Sequence, residues 1–311
     1  MNNLVLGTAQ LGMKYGMVNR MGQPSRGQAL AMIRRAVAGG ISTVDTARDY
    51  GTAEALLGQL PTGLRQQIKV VTKLDPLRAL PINADEETVR AAVDESIHCS
   101  CEALRVERLD VLLLHRWEHR MGWNGGVWSR LLELKDSNKI GVLGASVYEP
   151  AEAMEVLRDP NVQHLQIPFN LLDWRWRAAG IEQAIAGRPD IVVHARSALL
   201  QGILINSQAC WPAVEGFDAG RCIKTINLLV ANLQRQSITD LCFAYVRSQS
   251  WIHGVVVGCE TMTQLEENLK LFSSLALDTL QCAQVERSLP RPPDAFLNPT
   301  KWSQLEAVSA S

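Results

Sequence analysis

The chain has 311 residues, 47% of them hydrophobic and 20% charged, with a formal net charge of −1. That composition fills a large core and excludes a disordered chain, and balanced charge without a basic stripe excludes a nucleic-acid partner. Seven scattered cysteines with no CxxC pair make neither a disulfide framework nor a zinc site, and fit reduced thiols. The opening MNNLVLGTAQLGMKYG lacks the basic segment and apolar run of a signal peptide, and no stretch approaches 18 apolar residues. The expectation is a cytoplasmic protein without membrane contact.

Short runs rich in Val, Ile and Leu alternate with amphipathic stretches. In chain order, a strand at residues 4–8 precedes a helix at 26–38, and a strand at 42–46 precedes a helix at 53–60. Strands at 69–74 and 109–115 precede helices at 86–104 and 126–137, and strands at 140–146 and 165–169 precede helices at 150–157 and 177–186. A strand at 191–196 leads to helices at 220–236 and 239–248, and a strand at 254–258 leads to a last helix at 263–275. The tail from about residue 290 is proline-rich and reads as irregular. Strands that are apolar on both faces belong to parallel sheets. Eight of them, each followed by a helix, predict a single-domain (β/α)8 barrel, the TIM barrel, across 1–311. An open doubly wound sheet is the competing reading, but no GxGxxG follows the first strand.

Such barrels place their chemistry at the C-terminal ends of the strands. Asp45 stands at the end of the second strand, with Tyr50 five residues on; Lys73 stands at the end of the third and His115 at the end of the fourth. Singly, each has an ordinary use: a turn cap, a solvated strand end, a rim histidine. Together they make a unit. A tyrosine hydroxyl titrates at about 10, and a neighbouring ammonium lowers that value. A carboxylate would hold the ammonium charged, and an imidazole would orient a carbonyl oxygen and stabilise charge developing on it.

The segment GISTVDTARDYGTAEALLG (40–58) resembles the aldo/keto reductase family around its catalytic Asp and Tyr. VVTKL (70–74) and DVLLLH (110–115) resemble the strands bearing that family's Lys and His, QIPFN (166–170) its sixth strand, and VVVGCETMTQLEENL (255–269) its last strand–helix unit. The likeness spans residue 4 to about 272. It implies reduction of a small-molecule carbonyl with a nicotinamide cofactor. Tyr50 would be the general acid, Lys73 and Asp45 its tuners and His115 the substrate orienter.

By matching position, Ser146, Gln166 and Asn170 would hold the nicotinamide carboxamide. Arg196 takes the place where many members have a stacking tyrosine, and a guanidinium can stack as well. Leu200, Gln201 and Gly202 would run along the pyrophosphate. The helix N-terminus near Thr261, with Gly258 and Gln264 beside it, is an anion site, and Glu267 and Asn268 would meet the adenine. Members preferring NADP usually carry a base in the segment where this chain has Glu260. The resemblance therefore implies NADP with NAD as a possible alternative. Tyr15, Trp117 and Trp174 are the candidate substrate-binding aromatics, suited to a sugar-type carbonyl. Two alternatives stand beside reduction: an NAD(P)-dependent aldose 1-dehydrogenase, and a non-catalytic, cofactor-sensing regulatory barrel.

Overall fold

A computed structural model describes residues 3–19 and 21–302. Eight parallel strands, β1 (Asn3–Gly7), β2 (Thr43–Asp45), β3 (Lys69–Lys73), β4 (Leu109–Leu114), β5 (Ile140–Ser146), β6 (His164–Pro168), β7 (Val192–Arg196) and β8 (Gly254–Gly258), lie side by side in sequence order. β1 pairs with β8 as well as β2, Leu4 opposite Val255 and Gly7 opposite Gly258, so the sheet closes. This is the expected single-domain (β/α)8 barrel.

Strand alternation divides the buried residues between two sides. Leu6, Val44, Val70, Leu112, Leu143, Leu165, Val193 and Val255 join the main core with helix residues such as Ile33 and Val93. A separate small cluster, Val71, Val111 and Leu113 with Val142, lies on β3, β4 and β5. Across from it, β6 and β7 contribute polar residues, the buried His164, Gln166 and His194. The two imidazoles meet edge to face with centroids 4.3 Å apart. Glycines make room for them. A Cβ at Gly144 would lie 2.8 Å from the Cβ of His164, and one at Gly254 would lie 2.9 Å from Cδ2 of His194.

Caps set the main helix boundaries. Ser25 and Gln28 form a capping box for Arg26–Ala38, Asp85 accepts the Thr88 N–H to open Glu86–Leu104, and Thr261 caps Met262–Phe272. Three expectations are corrected. The helix over 177–186 is two pieces, Arg175–Ala178 and Ile181–Ala186, broken at Gly180 with φ of +71°. The helical pattern does not end at 275, because Asp278 and Gln281 form a second capping box and start Thr279–Ser288. The proline-rich tail is ordered: Asp294–Leu297 is a helical turn, and Phe296, Leu297 and Trp302 are buried.

Apolar burial docks that tail. Phe296 packs 4.5 Å from Phe217 and 5.4 Å from Trp211, both in the long loop after β7. Asn298 Nδ2 and Lys301 Nζ both donate to Oε1 of Glu149, in the loop after β5. The tail therefore straps loops at the C-terminal face of the barrel. Its last residues, 303–311, lie outside the described residues. Among the described residues no helix is long and apolar enough to cross a membrane.

The imidazole pair makes the fold acid-sensitive. Burial pushes His194 down to about 4 and His164 well below its ordinary value, so both are neutral in the folded protein. The unfolded chain protonates them at about pH 6.5, binds more protons below it, and gains about 1.4 kcal/mol per pH unit per histidine. Stability is thus expected to fall as pH drops from about 6.5 towards 4. Urea unfolding across that range should show the slope, and the double variant His164→Asn/His194→Gln should flatten it. An unchanged slope would place the acid sensitivity elsewhere.

Candidate active site

The strand ends bring the expected groups together. Lys73 Nζ donates to both carboxylate oxygens of Asp45, at 2.8 and 2.9 Å, and to the Thr46 carbonyl at 2.9 Å. Lys73 is 1% exposed and Asp45 3%. From β6 on the far side of the barrel, Gln166 Nε2 donates to Asp45 Oδ2 at 2.7 Å, and Ser146 Oγ donates to Gln166 Oε1 at 3.5 Å. Gln166, expected to hold a carboxamide, instead braces the carboxylate, with Ser146 bonded behind it. Burial pushes Lys73 down, and the charge and hydrogen bonds of Asp45 oppose it. A buried pair of this kind is tolerated only when its remaining polar valences are met, which Thr46 and Gln166 accomplish.

Tyr50 and His115 flank the pair. Lys73 Nζ lies 5.0 Å from the Tyr50 ring centroid, and the Tyr50 and His115 rings meet edge to face at 5.9 Å. The position of Tyr50 depends on two glycines. Gly12 ends the turn Ala9–Gly12 after β1, and a Cβ on it would sit 2.0 Å from the Tyr50 carbonyl oxygen. Gly51 has φ of +55°, and its Cβ would sit 2.5 Å from the Gly12 carbonyl oxygen. Thr52 seals the contact by donating its N–H and its hydroxyl to that oxygen, at 3.1 and 3.2 Å.

The expected lowering of the Tyr50 pKa does not occur. Burial, then the Asp45 charge, push it upward, and the leading downward influence is Arg196. The physical reason is first the burial of the hydroxyl, which disfavours the phenolate, and then the nearby Asp45 carboxylate. Tyr50 keeps its proton at neutral pH. His115 is pushed down to about 3 by burial and then by Lys73, so it is a neutral imidazole. Its buried Nδ1 has no partner among the described residues.

A cleft of about 390 Å³ runs from Tyr50 and Tyr15 past the ends of β1 and β8. Gly7 and Gly258, opposite each other in the sheet, border it. A Cβ on Gly258 would meet the Gln10 side chain at 2.1 Å. Arg196, Gln201 and Gly202 line one stretch, and Glu260, Gln264, Glu267 and Asn268 the far end. Gln10, Ser197, Asn206 and Thr239 also line it and were missed. Ser197 carried a signal, a polar residue directly after a strand; Thr239 carried none.

Two cofactor expectations change form. The Leu200 side chain is fully buried, and its neighbour Leu199 lines the cleft instead. Ser197, Leu200 and Gln201 have positive φ, 60°, 47° and 53°, followed by Gly202 at 87°. Such a conformation costs roughly 1–2 kcal/mol at each non-glycine residue and gathers at functional loops. Thr261 serves as a cap, its hydroxyl accepting the Gln264 N–H at 3.2 Å, while Gln264 Oε1 accepts the Glu260 N–H at 2.7 Å. Thr261 thereby orders the residues that line the cleft.

The residues present fit a nicotinamide dinucleotide. Asn170 is 1% exposed, its Oδ1 accepts the Leu172 N–H, and its Nδ2 is buried without a partner among the described residues. Such an unmatched donor is rare and calls for an acceptor, which a carboxamide oxygen would supply. Neither Trp117 nor Trp174 is among the residues lining the cleft. Trp117 is 6% exposed, bonded through Nε1 to Glu155 and packed on Trp128. Trp174 donates to the Pro292 carbonyl with Arg291 over its ring, so it anchors the tail.

Residues 3–289 match the Aldo/keto reductase family. The chain is 25% identical over 262 residues to the NADH-specific methylglyoxal reductase of Escherichia coli (strain K12), covering 74% of this chain and 78% of that protein. It is 32% identical over 117 residues to the D-arabinose 1-dehydrogenase of Saccharomyces cerevisiae, covering 36% of this chain and 32% of that protein. The fold is similar to the holo form of an aldo-keto reductase from Bacillus halodurans, with TM-score 0.74, 19% identity and 93% of each chain covered. It is also similar to a Pseudomonas aeruginosa protein assigned to the aldo-keto reductases, with TM-score 0.62, 20% identity, and 91% of this chain and 90% of that one covered.

Proposed function

Because the chain belongs to the aldo/keto reductase family, whose chemistry is carbonyl reduction, we propose that it uses a reduced nicotinamide dinucleotide and Tyr50 as proton donor to convert an aldehyde or ketone to the alcohol. The observation that carries this reading is the convergence of Tyr50, His115 and the Lys73–Asp45 pair at one end of a cleft whose wall fits the dinucleotide.

The bound cofactor supplies hydride to the carbonyl carbon. The protein supplies the proton and the field. Tyr50 is protonated at neutral pH, so it acts as an acid towards the carbonyl oxygen. As negative charge moves onto Tyr50, the nearby Lys73 ammonium stabilises it. Asp45, braced by Gln166, keeps that ammonium charged and in place. The neutral His115 offers a hydrogen bond to the carbonyl oxygen without competing as a proton donor. Asn170, with Ser146 beside Gln166, would hold the carboxamide, and the loop Ser197–Gly202 the pyrophosphate.

Among the described residues the adenine end is lined by Glu260 and Glu267 and by no lysine or arginine. A 2′-phosphate adds roughly −1.5 to −2 charge and would meet no cation among those residues. The helix N-terminus behind Thr261 offsets part of that repulsion. The balance favours NADH over NADPH by no more than about tenfold. The E. coli relative described as NADH-specific supports the same direction. The D-arabinose 1-dehydrogenase likeness supports a second reading, oxidation of an aldose at its anomeric carbon. Comparing rates with aldose plus oxidised cofactor and aldehyde plus reduced cofactor decides between them.

Tyr50→Phe keeps the ring and removes the acid. Its kcat on methylglyoxal is expected to fall by about 10²–10⁴-fold while the dissociation constant for NADH, read by fluorescence titration, stays near wild type. Turnover close to wild type would remove Tyr50 from the mechanism. Glu260→Arg is expected to move the NADPH/NADH ratio of kcat/KM towards NADPH by about tenfold. A wild-type preference for NADPH of several hundredfold, on the order of 3–4 kcal/mol, would mean that other residues form a phosphate site.

A further inference from the structure

Arg196 ends β7 beside the catalytic groups, in the place where many members of the family have a stacking tyrosine. Its guanidinium lies against the Tyr148 ring, 4.3 Å from the centroid, and one N–H group donates to the Val147 carbonyl at 3.1 Å. No carboxylate pairs with it among the described residues. The side chain is half-buried and lines the cleft next to Tyr15 and Tyr50.

We propose that Arg196 selects a carbonyl substrate bearing an anionic group, a carboxylate or a phosphate, close to its reacting carbon. This deepens the reading of the chain as a carbonyl reductase and rests on it. The charge arithmetic is simple. Lys73 and Asp45 cancel, His115 is neutral, and Arg196 leaves one uncompensated positive charge at the chemical end of the cleft. A partly desolvated charge without a counterion is unfavourable, and an anion entering with the substrate relieves it. The planar fork of a guanidinium matches carboxylate and phosphate oxygens in pairs.

Direction favours the substrate over the cofactor. Arg196 is turned onto Tyr148, in the loop after β5, and the groups that feel its charge are Tyr15, Tyr50, Lys73 and His115. The loop proposed for the pyrophosphate is held elsewhere, Gly202 packing against Val18 of the loop after β1. The far end of the cleft holds Glu260 and Glu267, so the cleft is polarised along its length, positive at the chemistry and negative beyond.

The test measures kcat/KM on matched pairs: succinic semialdehyde against butanal, and glyceraldehyde 3-phosphate against glyceraldehyde. Wild type is expected to prefer one anionic member by about tenfold or more, the effect of one charge-assisted hydrogen-bonded pair, and the favoured pair identifies carboxylate or phosphate. Arg196→Gln should bring that ratio close to one whatever the absolute rates, and Arg196→Lys should keep part of it. A wild-type ratio near one in both pairs, or an undiminished ratio in Arg196→Gln, overturns the proposal. So does weaker NADH binding in Arg196→Gln with the ratio preserved, which would give the charge to the cofactor. If no aldehyde turns over, the reductase reading fails, and calorimetry decides this inference separately. Succinate or inorganic phosphate should bind wild type about tenfold tighter than Arg196→Gln, and equal or absent binding overturns it.

Discussion

A lysine ammonium that is 1% exposed survives inside a barrel only with its charge matched and all its protons bonded. Asp45 and the Thr46 carbonyl meet that requirement for Lys73, and Gln166 reaches across from β6 to complete the carboxylate. The constraint propagates. It ties β2 and β3 to the opposite wall of the barrel. It fixes the ammonium beside the Tyr50 ring, and among the described residues it leaves Arg196 as a cation without a carboxylate at that end of the cleft. The neutral state of His115 also follows in part from it, since the Lys73 charge adds to burial in opposing protonation.

Around this centre the backbone is held by close approaches that side chains would forbid. Gly12 against the Tyr50 carbonyl and Gly51 against Gly12 set the loop that presents the proposed acid. Gly144 and Gly254 open the interior below the site for the two imidazoles. The left-handed run in the loop after β7 stores strain where the cleft needs a turned backbone, and the C-terminal strap packs on the same loop through Phe296.

The barrel was legible because each strand is a compact apolar run and parallel strands are buried on both faces. The cluster proposed as catalytic was legible because polar residues at successive strand ends have few structural uses. What escaped depends on closure. The bond between Gln166 and Asp45 joins residues 121 apart, and no local pattern reports it. The upward push on Tyr50 comes first from burial, which the spacing of Asp45, Tyr50 and Lys73 does not contain. Trp117 and Trp174 were misplaced because an indole after a strand can turn to the mouth or to a neighbouring element, and here Glu155 and Pro292 capture them. The tail read as irregular from its prolines, yet Phe296 and Trp302 bury it.

The most direct measurement concerns whether the ion pair serves chemistry or only the scaffold. Removing one partner leaves a buried unpaired charge and costs about 3–5 kcal/mol, whereas replacing both is often close to neutral. The double variant Asp45→Asn/Lys73→Met should therefore fold and bind NADH, with a melting temperature within a few degrees of wild type. Its kcat for aldehyde reduction should fall by roughly 10²-fold or more, the loss expected when a proton donor's electrostatic support is removed. A folded double variant that turns over within a few-fold of wild type would contradict the account and make the pair purely structural.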